Sequence, residues 1–199
     1  MARKNQLTTS DHFKYDEYKR FVSALHEDKE YVWEMFARLS FCTACRASDV
    51  LPIRWGQILN AKSLVIAEQK TSKARSIPIN PSIQGKIQEL WKLMGYPDKH
   101  EYVFRPVKRQ VKGNEPMTIQ YVNQKMKVFK RKYKLDIGNF STHTFRKTFG
   151  RYVYDTNNHS AESLLLLNQI LKHSSIEITK RYIGITKDEI DSVFNSLQF

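Results

Sequence analysis

His143 and Arg146 stand three residues apart in Thr142-His143-Thr144-Phe145-Arg146-Lys147-Thr148, a spacing that puts both on one face of a helix. Thr142 suits the N-cap, which would set both basic groups in the first turn. There they oppose the helix dipole, and a bound anion relieves the opposition. Phosphate is the natural candidate, because the free N–H groups of a helix start point the same way. The plainer alternative is a solvated basic helix start. A second short helix is bracketed by His173 and Tyr182. Ser174-Ser175-Ile176-Glu177 carries the reciprocal Ser-x-x-Glu capping pattern, with Ser174 as N-cap, and Gly184 is a plausible stop. His173 then lies just before the helix and Tyr182 in its last turn, so both can face one cleft. Taken alone, Tyr182 is one tyrosine of ten, and a place in the core or at a rim is the ordinary one.

Further candidates are weaker singly. Arg46 follows an apolar segment and has Asp49 three residues on, able to orient it or simply to pair with it at the surface. Lys70 and Lys73 sit in the polar run Glu68-Gln69-Lys70-Thr71-Ser72-Lys73, where lysines are common. Cys42 and Cys45 form a Cys-x-x-Cys, but no second ligand pair follows at zinc-site spacing. They lie in the helical run that begins at Val32 and read as small buried hydrophobes.

These residues need a scaffold, and apolar periodicity outlines one. Residues 11–26 and 29–42 read as amphipathic helices, the first through Phe13, Tyr18, Phe21, Val22 and Leu25. A third helix is expected over 46–54. Two short β-rich runs at 63–67 and 76–79 then predict a small antiparallel hairpin, with Pro78 marking an edge strand. A helix from Pro81 to about Met94 follows, then the apolar Tyr102-Val103-Phe104 and a basic loop over 108–116. Residues 118–134 form a helix with a narrow apolar stripe of Ile119, Val122, Met126 and Phe129. Four more helices are expected at 142–156, 161–171, 175–183 and 187–197. The fold class is mostly α with one small antiparallel sheet (α+β), behind a polar, basic tail over 1–10.

Charge narrows the partner. The chain has 33 Lys and Arg against 20 Asp and Glu, a formal +13. The densest basic run is Lys125, Lys127, Lys130, Arg131, Lys132 and Lys134. Such a surface attracts phosphate polyanions, which favours nucleic acid over an acidic protein partner or mere solubilisation. No apolar run approaches a membrane span, the N-terminus lacks the apolar stretch of a secretory signal, and no disulfide framework is evident. The cytoplasm is the expected compartment.

In combination these features resemble the tyrosine recombinases, or phage-type integrases. Arg46 with Asp49 stands as the family's first motif, followed by Leu51-Pro52-Ile53-Arg54-Trp55. Gln69 to Ile79 is similar to the family's β-hairpin, whose active lysine corresponds to Lys70. His143 to Thr148 matches the His-x-x-Arg box. Leu171-Lys172-His173-Ser174-Ser175 resembles the Leu-Gly-His-Ser-Ser segment, and Tyr182 falls nine residues after His173, the family's usual distance. The resemblance spans roughly residues 30–186. It departs at Lys172, where the family commonly has Gly, and Lys suits that position outside the left-handed region.

The resemblance implies the tyrosine recombinase catalytic-domain fold and metal-free cleavage and rejoining of double-stranded DNA. Arg46 and Arg146 would grip the phosphate oxygens bidentately, and His173 would add a hydrogen bond. Tyr182 would attack to form a 3′-phosphotyrosine, with His143 taking its proton and Lys70 serving as general acid. No cofactor or metal is implied, and the acids other than Asp49 are too scattered for a two-ion site. The expected partner is double-stranded DNA within a synaptic tetramer of identical subunits, with no membrane. Residues 11–186 would form the catalytic domain. The helix over 187–199 packs on its own domain or, as the resemblance offers, passes to a neighbouring subunit. Type IB topoisomerase-like relaxation and a non-catalytic DNA-binding regulator are the competing readings. With nothing of domain size before residue 11, the chain is either part of a longer protein or a short stand-alone form like the fimbrial-switch invertases.

Overall fold

The computed structural model describes residues 10–67, 74–106 and 115–198, less the side chains of 186–190. Helices α1 (Tyr15–Glu27) and α2 (Tyr31–Thr43) form where the apolar periodicity predicts them, and α1 buries Tyr18, Phe21, Val22 and Leu25. α2 buries residues nearly all round, from Trp33 to Thr43, as a helix at the centre of a core must. It ends at Ala44, in the left-handed region at φ 51°.

The helix expected over 46–54 is much shorter: α3 is Ala47–Val50. Pro52 has no N–H to continue it. The following residues pair instead with a distant segment: Val103 N–H donates to Ile53 O, Trp55 N–H to Glu101 O, and Arg54 bridges antiparallel to Tyr102. The apolar 102–104 run is therefore a pairing partner for the chain just after α3.

Strands β1 (Ser63–Ala67) and β2 (Ala74–Pro78) make a two-stranded antiparallel sheet in register Leu64↔Ile77 and Ala67↔Ala74. Leu64, Ile66 and Ile77 are buried while Val65 is exposed, the alternation of a half-buried hairpin. β2 begins two residues earlier than the apolar run alone suggests, because ladder bonds extend to Ala74. α4 (Pro81–Leu93) starts from an Asn80 cap with Pro81 in its first turn. α5 (Ile119–Lys132) is capped by Thr118 and buries Val122, Met126 and Phe129. Ile119, expected in that stripe, is exposed at the helix start.

The C-terminal third is helical: α6 (Thr144–Thr156), α7 (Ala161–Leu171), α8 (Ile176–Ile183) and α9 (Ile185–Asn195). The large core joins α1, α2, the hairpin, α4 and α5 to Phe145 of α6. A smaller one gathers Ala44, Leu164, Leu167, Leu171, Tyr182, Ile183 and Ile185. α8 lies so close to α6 that a Cβ at Gly150 would stand 2.6 Å from Ile183 Cγ2. Ser10 is buried against α6, its hydroxyl 2.9 Å from Thr144 Oγ1. Among the described residues no helix is long and apolar enough to cross a membrane.

Candidate active site

The site assembles where three chain turns meet: the one from α2 into α3, the start of α6, and the one from α7 into α8. Arg146, in the first turn of α6, joins them. Its guanidinium is 4% exposed, donating from NH1 to the Ala44 carbonyl and from NH2 to the Leu171 carbonyl at 2.6 Å. Ala44 and Leu171 are themselves fully buried. One side chain thus ties the turn that leads to Arg46 to the turn that leads to His173. Arg46 is the N-cap residue of α3, and its charge bears on His143, Arg146 and Tyr182 alike. Asp49 is buried one turn on, and its N–H donates to the Arg46 carbonyl.

The start of α6 differs by one residue from the sequence expectation. His143, not Thr142, is the N-cap residue, and it makes no side-chain cap. The Thr142 N–H is taken by Asn123 Oδ1, and Thr144 Oγ1 accepts from the Ser141 N–H. His143 is half-buried among the cations Arg146, Lys147 and Arg46, and desolvation with their charge pushes its pKa down to about 4. It is therefore neutral at pH 7.

The turn from α7 into α8 also corrects an expectation. Lys172 is left-handed, at φ 49° and ψ 48°, as the C-cap residue of α7. A Gly would sit there without strain, so the departure from the family pattern is an unfavourable one. α8 is capped by Ser175, whose hydroxyl accepts from Ile178 N–H, rather than by Ser174. The adjacent serines make the choice, and Ser175 alone reaches the third amide beyond it. Tyr182 does fall in the last turn, with Gly184 left-handed as the stop.

Tyr182 is 7% exposed, and among the described residues its Oη makes no hydrogen bond of good geometry, with the Arg146 guanidinium close by. The His173 ring meets it edge-on at 4.9 Å between centroids, and Arg146 Cζ lies 6.0 Å from its ring centre. Burial raises the phenol's pKa, while the Arg146 and Arg46 charges pull the other way. A buried phenol beside several cationic side chains is a setting that suits an anionic group.

Arg46, His143, Arg146, His173 and Tyr182 therefore meet in one place. Lys70 and Lys73 lie outside the described residues. Sequence reasoning passed over Lys147, whose Nζ is 5.2 Å from the Tyr182 ring centre and donates to the Ser10 carbonyl at 2.6 Å. Its place directly after Arg146 in the box was the available signal. Arg75 of β2 was also missed; it donates to the Thr43 carbonyl at 3.3 Å, beside the Arg146 anchor. Both cysteines are free: Cys45 is buried, and burial pushes the Cys42 thiol up to about 12. Among the described residues no group of three or more His, Cys, Asp or Glu is placed to hold a metal ion.

Residues 12–189 match the phage integrase family. A probable integrase/recombinase of Bacillus subtilis strain 168, YoeC, is 31% identical over 175 residues, covering 85% of this chain and 90% of that protein. Among solved structures, XerA recombinase superposes with a TM-score of 0.69 at 15% identity, covering 98% of this chain and 68% of that one. The catalytic domain of bacteriophage HP1 integrase gives 0.58 at 17%, covering 94% of this chain and 95% of that domain. XerH site-specific recombinase, bound to its palindromic difH substrate after cleavage, gives 0.67 at 14%; 95% of this chain matches but only 54% of XerH. These likenesses show a shared fold, and that fold is the mostly helical one with a two-stranded antiparallel sheet. On the family match and the Bacillus relative, the chain belongs to the phage integrase family of tyrosine-type site-specific recombinases.

Proposed function

We propose that this chain cleaves and rejoins double-stranded DNA at a specific site through a 3′-phosphotyrosine at Tyr182. The observation that carries the reading is the buried Oη of Tyr182, without a hydrogen bond of good geometry, beside Arg146 and His173 and within reach of the Arg46 charge. A buried hydroxyl without a partner costs about 1 to 3 kcal/mol, which a bound phosphodiester would offset. Arg46 and Arg146 hold the non-bridging oxygens, and charge building on them in the pentavalent state strengthens both contacts. Tyr182 Oη attacks phosphorus while its proton passes to neutral His143. The bond to the 5′ oxygen breaks, and Lys70 protonates that oxygen as it leaves. Attack by a 5′-hydroxyl of the exchanged strand reverses the step and releases the tyrosine.

Exchange between two duplexes calls for a synaptic tetramer of identical subunits, acting in the cytoplasm. In that assembly the C-terminal segment over 187–199 passes to a neighbour. Val193 and Phe194 of α9, and Leu197 just beyond it, are 63%, 69% and 55% exposed, apolar surface that the chain's own domain leaves uncovered. A recombination assay on two copies of the target site, with relaxation of a supercoiled circle as the competing readout, tests the function. Recombined product that Tyr182→Phe abolishes is expected. Relaxation without exchange would assign the chain to topoisomerase-like chemistry instead.

A further inference from the structure

We infer that Asn168 and Thr179 act as positioning residues that hold neutral His173 with its proton on Nε2, so that it donates to the phosphate without first being protonated. The donors and acceptors around α8 favour this arrangement, because the competing bond from Thr179 Oγ1 to Ser175 O is the longer one. Asn168 Nδ2 donates to the Ser175 carbonyl at 2.7 Å and to Thr179 Oγ1 at 3.1 Å. The carbonyl can only accept, so it is the amide nitrogen of Asn168 that faces inward. Ser175 O also accepts from the Thr179 backbone N–H at 3.3 Å, which fills its two lone pairs.

Thr179 is fully buried and has one hydroxyl proton to place. Ser175 O lies 3.4 Å from Oγ1 and is already occupied, whereas His173 Nδ1 lies 3.1 Å away. The proton goes to Nδ1, which therefore accepts, and a neutral imidazole then carries its own hydrogen on Nε2. Asn168 fixes the histidine a second time, since its backbone carbonyl accepts the His173 N–H at 3.2 Å. The ring is also held edge-on to Tyr182. A tautomer set in advance supplies a phosphate donor whose orientation requires no rearrangement when charge develops. The link to catalysis rests on Tyr182 being the nucleophile; the tautomer itself does not.

Two-bond proton–nitrogen NMR of the histidine-labelled chain at neutral pH tests it, with His173 assigned from the spectrum of His173→Asn. A pyridine-type Nδ1 and a pyrrole-type Nε2 are expected. Thr179→Val, nearly isosteric, should lose that signature and slow covalent capture of a nicked suicide duplex about tenfold, and Thr179→Ser should restore both. A protonated Nδ1 in the wild-type chain, as the other tautomer or the imidazolium, overturns the inference. So does a Thr179→Val chain that keeps the signature. Should that variant fail to fold, the wild-type spectrum decides alone. A wild-type chain that captures no DNA yet shows the expected tautomer would refute the proposed function and leave this inference standing.

Discussion

Arg146→Lys separates the two tasks that the site asks of one side chain. Arg146 donates from different nitrogens to the carbonyls of Ala44 and Leu171, which belong to turns far apart in sequence and are both fully buried. A lysine keeps the charge but ends in a single nitrogen, so it can serve one of these carbonyls well and must abandon the other. A hydrogen bond to a charged group contributes about 1.5 to 3 kcal/mol, and the abandoned carbonyl has no water to turn to. A net loss of roughly 2 to 3 kcal/mol follows. For a chain of this size each kcal/mol lowers Tm by about 2 to 4 °C, so the midpoint should fall by roughly 4 to 12 °C. Calorimetry without DNA, paired with urea unfolding, reads this directly. An Arg146→Lys chain within about 0.5 kcal/mol of wild type would refute the keystone role and leave Arg146 a purely catalytic group.

Lys172→Gly should stabilise the chain by about 0.5 to 1 kcal/mol in urea unfolding, because glycine adopts the left-handed C-cap without steric penalty. Gly150→Ala should destabilise by roughly 1 to 2 kcal/mol in the same assay: the gain in helix propensity is smaller than the overpacking against Ile183. His143 is held at about 4 when folded against an ordinary 6.5, so the unfolded chain binds its proton first and stability falls with pH. The contribution is fully present above about 6.5 and is lost on acidification toward 4, a difference of about 3 kcal/mol. His143→Gln should flatten that part of the pH–stability curve.

Much of this was legible in the residues, and the exceptions share causes. Amphipathic spacing located α1 and α5 because their partners needed only to be apolar. The helix over 46–54 was overdrawn because its end is set by Pro52 together with pairing to residues 101–103, and no local pattern reveals a partner fifty residues away. Helix caps slipped by one where two candidates were adjacent, at Thr142 and His143 and again at Ser174 and Ser175. The site residues were found by type, order and spacing, whereas their supports were hidden. Arg146's acceptors are main-chain carbonyls, which any residue supplies, and Thr179 is an ordinary buried threonine until His173 is seen against it. Lys172 suits its position only outside the left-handed region, and the C-cap of α7 places it inside that region, which no local pattern announces.

Strand cleavage by this chain turns on one oxygen atom, Tyr182 Oη. Incubating the chain with a suicide duplex of its target site, then digesting the covalent complex and sequencing the nucleotide-bearing peptide by mass spectrometry, identifies the attached residue. A single phosphodiester link on Tyr182 at the 3′ end of the cleaved strand is expected, formed in the presence of a metal chelator and absent from Tyr182→Phe. A link on another residue, or one that survives in Tyr182→Phe, would contradict it.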